Sequence, residues 1–123
     1  MSESNPRLVD YLEHIRDAIE RIERYIGDLD ELGFLQNELV QDGVIRNLEV
    51  IGEASRNIER DCPAWAQAHP DVPRGLAYEM RNVLAHGYFK VDLELVWRTL
   101  QGDLPPLYRQ VIELLAEELA RSP

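Results

Sequence analysis

One cysteine, Cys62, stands in the 123 residues. An intrachain disulfide is therefore excluded, and no cysteine/histidine cluster has zinc-site spacing. No run approaches the roughly 18 apolar residues of a membrane helix. The opening Met-Ser-Glu-Ser-Asn-Pro has no basic region ahead of an apolar run, so no signal peptide is expected. Strand signals are scarce too. Tyr88–Val91 is the best of them and is too short to use. There is no internal repeat and no low-complexity tract. Positive charge is in the minority, with 13 Lys and Arg against 23 Asp and Glu and a net charge of −10. That balance repels phosphates at long range and does not suggest a broad nucleic-acid platform. A reducing cytoplasm and one domain spanning 1–123 are the expectations.

What is present reads as helix. Asn5 followed by Pro6 is a helix start, with Asn as N-cap and Pro at the first helical position. Leu8, Leu12, Ile15, Ile19, Ile22, Ile26 and Leu29 then recur at steps of four and three. This stripe predicts one long amphipathic helix over 6–29. A second helix is predicted over 37–60, with Leu48, Ile51 and Ile58 as its spine and Val44, Ile45, Ala54 and Ser55 beside it. Gly52 is expected to let a neighbouring helix approach closely. Residues 30–36 are expected to form a short helical turn, and Ala64–Ala68 another with Trp65 tucked inward. Pro73 opens a predicted helix to about Ala85, where Gly87 can stop it in the left-handed conformation. Asp92 caps a further helix ending at Gly102. Asp103 caps the last, whose stripe is Leu104, Leu107, Tyr108, Val111, Leu115 and Leu119, with Pro105 and Pro106 tolerated in its first turn. The expected fold is an all-α up-and-down bundle of four to five helices.

The segment Arg81-Asn82-Val83-Leu84-Ala85-His86-Gly87-Tyr88 carries the chemistry. Arginine clamps phosphate with a rigid fork of donors, and histidine moves protons near neutral pH. In a continuous helix Arg81 and His86 lie about 140° apart around the axis. A helix ending near Ala85 frees His86 and Tyr88 to turn back toward Arg81. RNA cleavage through the neighbouring 2′-OH needs a base, an acid and positive charge on the non-bridging oxygens. Arg81 suits the last role and His86 one of the first two. His14 and His69 lie elsewhere, so the second acid or base is Tyr88, water or His86 of another subunit. A symmetric dimer is therefore expected. The plainer reading is a helix-end His acting as a cap on the helix dipole, with Arg81 an ion-pair partner of Glu79. Local charge around the segment is near-neutral to slightly basic. Arg74, Arg81, Lys90 and Arg98 there face Glu79, Asp92 and Glu94, whereas residues 1–42 hold eleven acids against four arginines.

Arg-Asn-x-Leu-Ala-His-Gly-Tyr resembles the signature of the HEPN superfamily, and of HepT-type toxins in particular. Gln41 through Ala54 resembles that family's second helix, with Gly43 where its members usually have Ala. Tyr88 through Asp92, Val96-Trp97 and Leu104-Pro105 also agree, so the likeness spans nearly the whole chain. The resemblance implies a HEPN-like homodimer with Arg/His pairs meeting in a cleft between subunits. It implies a metal-independent endoribonuclease that needs no cofactor, with Arg81 as phosphate clamp and His86 as general acid/base. Asn82 and Tyr88 would support them. It further implies a nucleotidyltransferase antitoxin that acts by binding or by transferring AMP to Tyr88, which would place phosphate charge and bulk over Arg81 and His86. The alternative is a non-catalytic nucleotide-binding or docking subunit of a nucleotidyltransferase complex, and the acidic charge favours it.

Overall fold

A computed structural model describes residues 6–70 and 92–121. Among them lie six helices and no strand: α1 (Pro6–Ile26), α2 (Glu31–Leu35), α3 (Glu38–Asp61), α4 (Pro63–Ala68), α5 (Leu93–Gly102) and α6 (Leu104–Ala120). The all-α class follows from the sequence stripes. The two short helices, α2 and α4, are the two turns expected from the sequence. Asn5 and the predicted helix over 73–85 lie outside the described residues.

Side chains set three of the described helix starts. Asn37, Asp30 and Asp92 each accept a hydrogen bond from a backbone N–H three residues on, at Val40, Gly33 and Leu95. Each such cap satisfies a donor the helix cannot pair, and removing one costs about 1 kcal/mol. Asp103 departs from expectation. It precedes α6 with helical backbone angles and makes no side-chain cap. Pro sits at the start of α6, where its missing N–H leaves one fewer orphan donor to satisfy.

The end of α1 corrects the sequence reading. The helix stops at Ile26 rather than 29, because Gly27 adopts φ +53° and donates to the Glu23 carbonyl. Glycine reaches this left-handed conformation without a Cβ clash and so terminates the helix. Leu29 thereby falls into the turn before α2.

The helix spacings bury one contiguous set of apolar side chains. Leu8, Leu12, Ile15, Ile19 and Ile22 of α1 face Val44, Leu48, Ile51 and Ile58 of α3, all at 1% exposure or less. The pair runs antiparallel, since Tyr11 near the start of α1 bonds Asp61 at the end of α3 while Arg21 bonds Asn47 near its beginning. Helix α6 packs on the other flank of α1, tied by the Tyr108 hydroxyl donating to Glu20 at 2.7 Å. Phe34 of α2 is fully buried and its ring lies 5.4 Å from that of Trp97 on α5. The α6 stripe is shifted from the predicted one. Leu104, Val111, Leu114, Leu115 and Glu118 are buried, whereas Leu119 is 53% exposed. The predicted stripe ends in two successive steps of four, Val111 to Leu115 to Leu119, which at 3.6 residues per turn advance about 80° around the axis and carry Leu119 off the buried face. One close approach on α3 is at Gly43, where a Cβ would meet the Tyr25 ring at 2.9 Å.

Candidate functional site

Arg81, Asn82, His86 and Tyr88 all lie outside the described residues. The described chain frames their segment: α4 ends at Ala68 before it, and Asp92 starts α5 after it.

The remaining histidines are placed individually. His14 is exposed on α1, its ring 6.4 Å from that of Tyr11 in an edge-on arrangement. His69 caps the C-terminus of α4, with its ring stacked on Trp65 at 4.2 Å and its Nδ1 3.0 Å from the Trp65 carbonyl. That contact requires a hydrogen on Nδ1, since a carbonyl only accepts. Trp65 and Trp97 are partly buried against the core, Trp65 tucked inward as expected. Glu49 and Glu53 are exposed, and Glu49 lies 3.8 Å from Arg46.

Two polar groupings connect α1 to α3. The first joins their outer ends. Asp61 accepts from Tyr11 Oη and from Arg60 Nε and Nη2, and Arg7 lies 3.7 Å away. The Arg60 bonds, then the Tyr11 bond, hold the Asp61 carboxyl well below the usual carboxylate range. The same carboxylate raises Tyr11 and Arg60 above their ordinary values. A carboxyl depressed in the folded state stabilises the fold above its unfolded value, near about 3.9. That contribution is lost as pH falls through the folded value. Asp61→Asn is therefore expected to flatten the decline of stability below about pH 4. Urea midpoints from pH 2 to 6 measure this, and an unchanged acid limb would remove Asp61 from the account.

The second grouping sits at the other end of the pair. Asn47, only 5% exposed, accepts from Arg21 Nε at 2.7 Å and donates to the Gly43 carbonyl at 2.8 Å. Neither Arg21 nor Asn47 was singled out from the sequence. The available signal was an asparagine three residues after Val44 and four before Ile51, spacing that places it at the margin of the packed stripe. Cys62 is buried, and that burial pushes its thiol up, away from the reactive thiolate. Among the described residues no group of three or more His, Cys, Asp or Glu is placed to hold a metal ion, and no helix is long and apolar enough to cross a membrane.

An all-helical architecture carrying an Arg-x4-His-x-Tyr segment defines a class. The chain belongs to the HepT-like ribonuclease family of the HEPN superfamily, whose pattern matches residues 15–114. It is 43% identical over 98 residues to a protein of Thermococcus cleftensis named probable ribonuclease HepT, covering 80% of this chain and 86% of that one. It is 38% identical over 104 residues to a protein of Methanocaldococcus jannaschii named as a candidate RNase, covering 85% and 89%. Another protein of that organism is named gamma-glutamylcyclotransferase and candidate RNase. It is 36% identical over 107 residues, which cover 87% of this chain and only 47% of that longer protein. No solved structure matches the chain.

Proposed function

We propose that this chain is a metal-independent endoribonuclease, the toxin of a toxin–antitoxin pair, acting as a homodimer. Family membership across 15–114, a span that includes an intact Arg81-x4-His86-x-Tyr88, supports this reading above all. Arg81 binds the scissile phosphate and stabilises charge on its non-bridging oxygens as the transition state forms. His86 takes the 2′-OH proton or gives one to the departing 5′-oxygen. The reaction balances without a co-reactant: the 2′-oxygen bonds phosphorus, the 5′-oxygen leaves, and one proton passes from the first to the second. Asn82 orients substrate or imidazole, and Tyr88 supports the cleft.

The partner in this reading is a nucleotidyltransferase antitoxin that docks on the cleft or transfers AMP to Tyr88. The added phosphate would neutralise Arg81 and fill the space over His86. A cytoplasmic setting accords with the single cysteine.

The test is cleavage of single-stranded RNA in EDTA by purified, unmodified protein. Cleavage is expected from wild type. Arg81→Ala is expected to lower the rate about 10²–10³-fold, the usual loss for one group that stabilises transition-state charge. Equal kinetics in the two proteins would remove Arg81 from the clamp role. The net charge of −10 favours a second reading, a non-catalytic subunit that binds a nucleotide or docks the nucleotidyltransferase. A wild type that leaves RNA intact but binds that partner would establish it.

A further inference from the structure

One polar cluster lies far in sequence from residues 81–88 and has no part in the chemistry assigned to them. Arg21 and Tyr25 stand one turn apart on α1, and Gly43 and Asn47 one turn apart on the facing stretch of α3. Asn47 is a fixed post. It is 5% exposed, and its amide is tied to the Gly43 carbonyl at 2.8 Å. It holds Arg21 through Nε at 2.7 Å. That bond orients the guanidinium and leaves its outer, two-toothed edge without an ion-pair partner among the described residues. Asp17, one turn before Arg21, is engaged by Arg16 at 2.9 Å. Arg24, exposed, lies three residues after Arg21 on α1, while Arg46 beside Asn47 is paired with Glu49 at 3.8 Å.

Tyr25 supplies the second element. Its side of the pair is open, at 41% exposure. A Cβ at residue 43 would fall 2.9 Å from its Cδ2 and 3.1 Å from its Cε2, so the ring edge rests where only glycine leaves room. The contact is with stiff ring atoms, and a larger residue at 43 would displace the ring. An aromatic held on a helix backbone with its remaining surface in water is a poor way to build a core and a good way to build a platform.

We propose that Arg21 and Tyr25 form a nucleotide subsite for single-stranded RNA, with a phosphate on the Arg21 guanidinium and the base stacked on Tyr25. The proposal rests on the ribonuclease reading and extends it to substrate binding away from the scissile bond. Single strands are held by this pairing of backbone cation and aromatic face. Arginine fits the phosphate role because its fork is planar and always charged. Stacking accepts any base, so the subsite adds affinity and register rather than sequence choice.

The test uses the full-length His86→Ala protein, expected to cut RNA too slowly to interfere, and a fluorescently labelled single-stranded RNA followed by anisotropy. In that background Tyr25→Leu, which keeps an apolar side chain but removes the aromatic face, is expected to weaken binding about 5- to 100-fold. Tyr25→Phe is expected to bind within about twofold of the parent, since stacking needs only the ring. Arg21→Ala is expected to weaken binding and to lower the slope of log K against log salt by about 0.7, one single-strand phosphate contact. Arg21→Lys is expected to keep that slope, because the charge remains. A merely structural role for Arg21 would not move the salt slope. Unchanged affinity and slope in Tyr25→Leu and Arg21→Ala overturn the subsite, as does absence of RNA binding by the parent. Unchanged affinity with an altered oligomeric mass also overturns it and assigns the face to protein contact. Wild type failing to cut RNA while these binding losses appear would sink the ribonuclease reading and leave the subsite standing.

Discussion

His86→Ala is expected to lower RNA cleavage in EDTA by about 10²–10⁴-fold, the range a positioned acid or base contributes. The loss should be large because the uncharged 2′-OH is a poor nucleophile and the 5′-alkoxide a poor leaving group at neutral pH. Imidazole is the side chain whose unperturbed pKa, about 6.5, lets it serve either proton transfer there. The variant's helical circular dichroism should match wild type, since alanine is the residue that favours helix most. A variant cutting at the wild-type rate would move the acid/base role away from His86. His14, exposed on α1, and His69, stacked on Trp65, would be the next positions to change.

Ile19→Ala should produce the largest loss of stability among simple truncations, about 2–5 kcal/mol. Ile19 has no exposed surface and sits midway along α1, the helix that packs against both α3 and α6. Removing its branched side chain forfeits burial of apolar area and leaves a cavity that the flanking helices can close only in part. Against a typical total of about 5–15 kcal/mol, such a loss brings the protein close to unfolding. Leu39→Ala is the matched control. That leucine is 83% exposed, and its truncation should change stability by no more than about 0.5 kcal/mol. Urea midpoints at one fixed protein concentration compare the two. Equal midpoints would mean that α1 is not the spine of the fold.

Much of this architecture could be read directly from residue order. Helix existence follows from local periodicity, and the α1 and α3 stripes are regular enough that their buried faces match expectation from Leu8 to Ile22 and from Val44 to Ile58. Caps are equally local, because Asn37 and Asp92 bond backbone groups three residues away. The 81–88 segment was visible for the same reason: its chemistry is a matter of residue type and order. Stripe phase over a long helix was less legible. On α6 the buried set includes Leu114 and Glu118 and excludes Leu119, since the neighbouring helices decide which side of a drifting stripe faces inward.

Sequence by itself determined the helical class, most helix boundaries, the core of the α1–α3 pair and the family to which the chain belongs. Those features depend on spacing within a few turns, which residue order states outright. Tertiary structure alone decided that Gly43 is the seat of Tyr25, that Asn47 holds Arg21, and that Tyr11 reaches Asp61 fifty residues away. These pairings depend on the antiparallel register of two helices joined through a turn. Register is set by how whole faces interlock, and no local pattern in either helix records it.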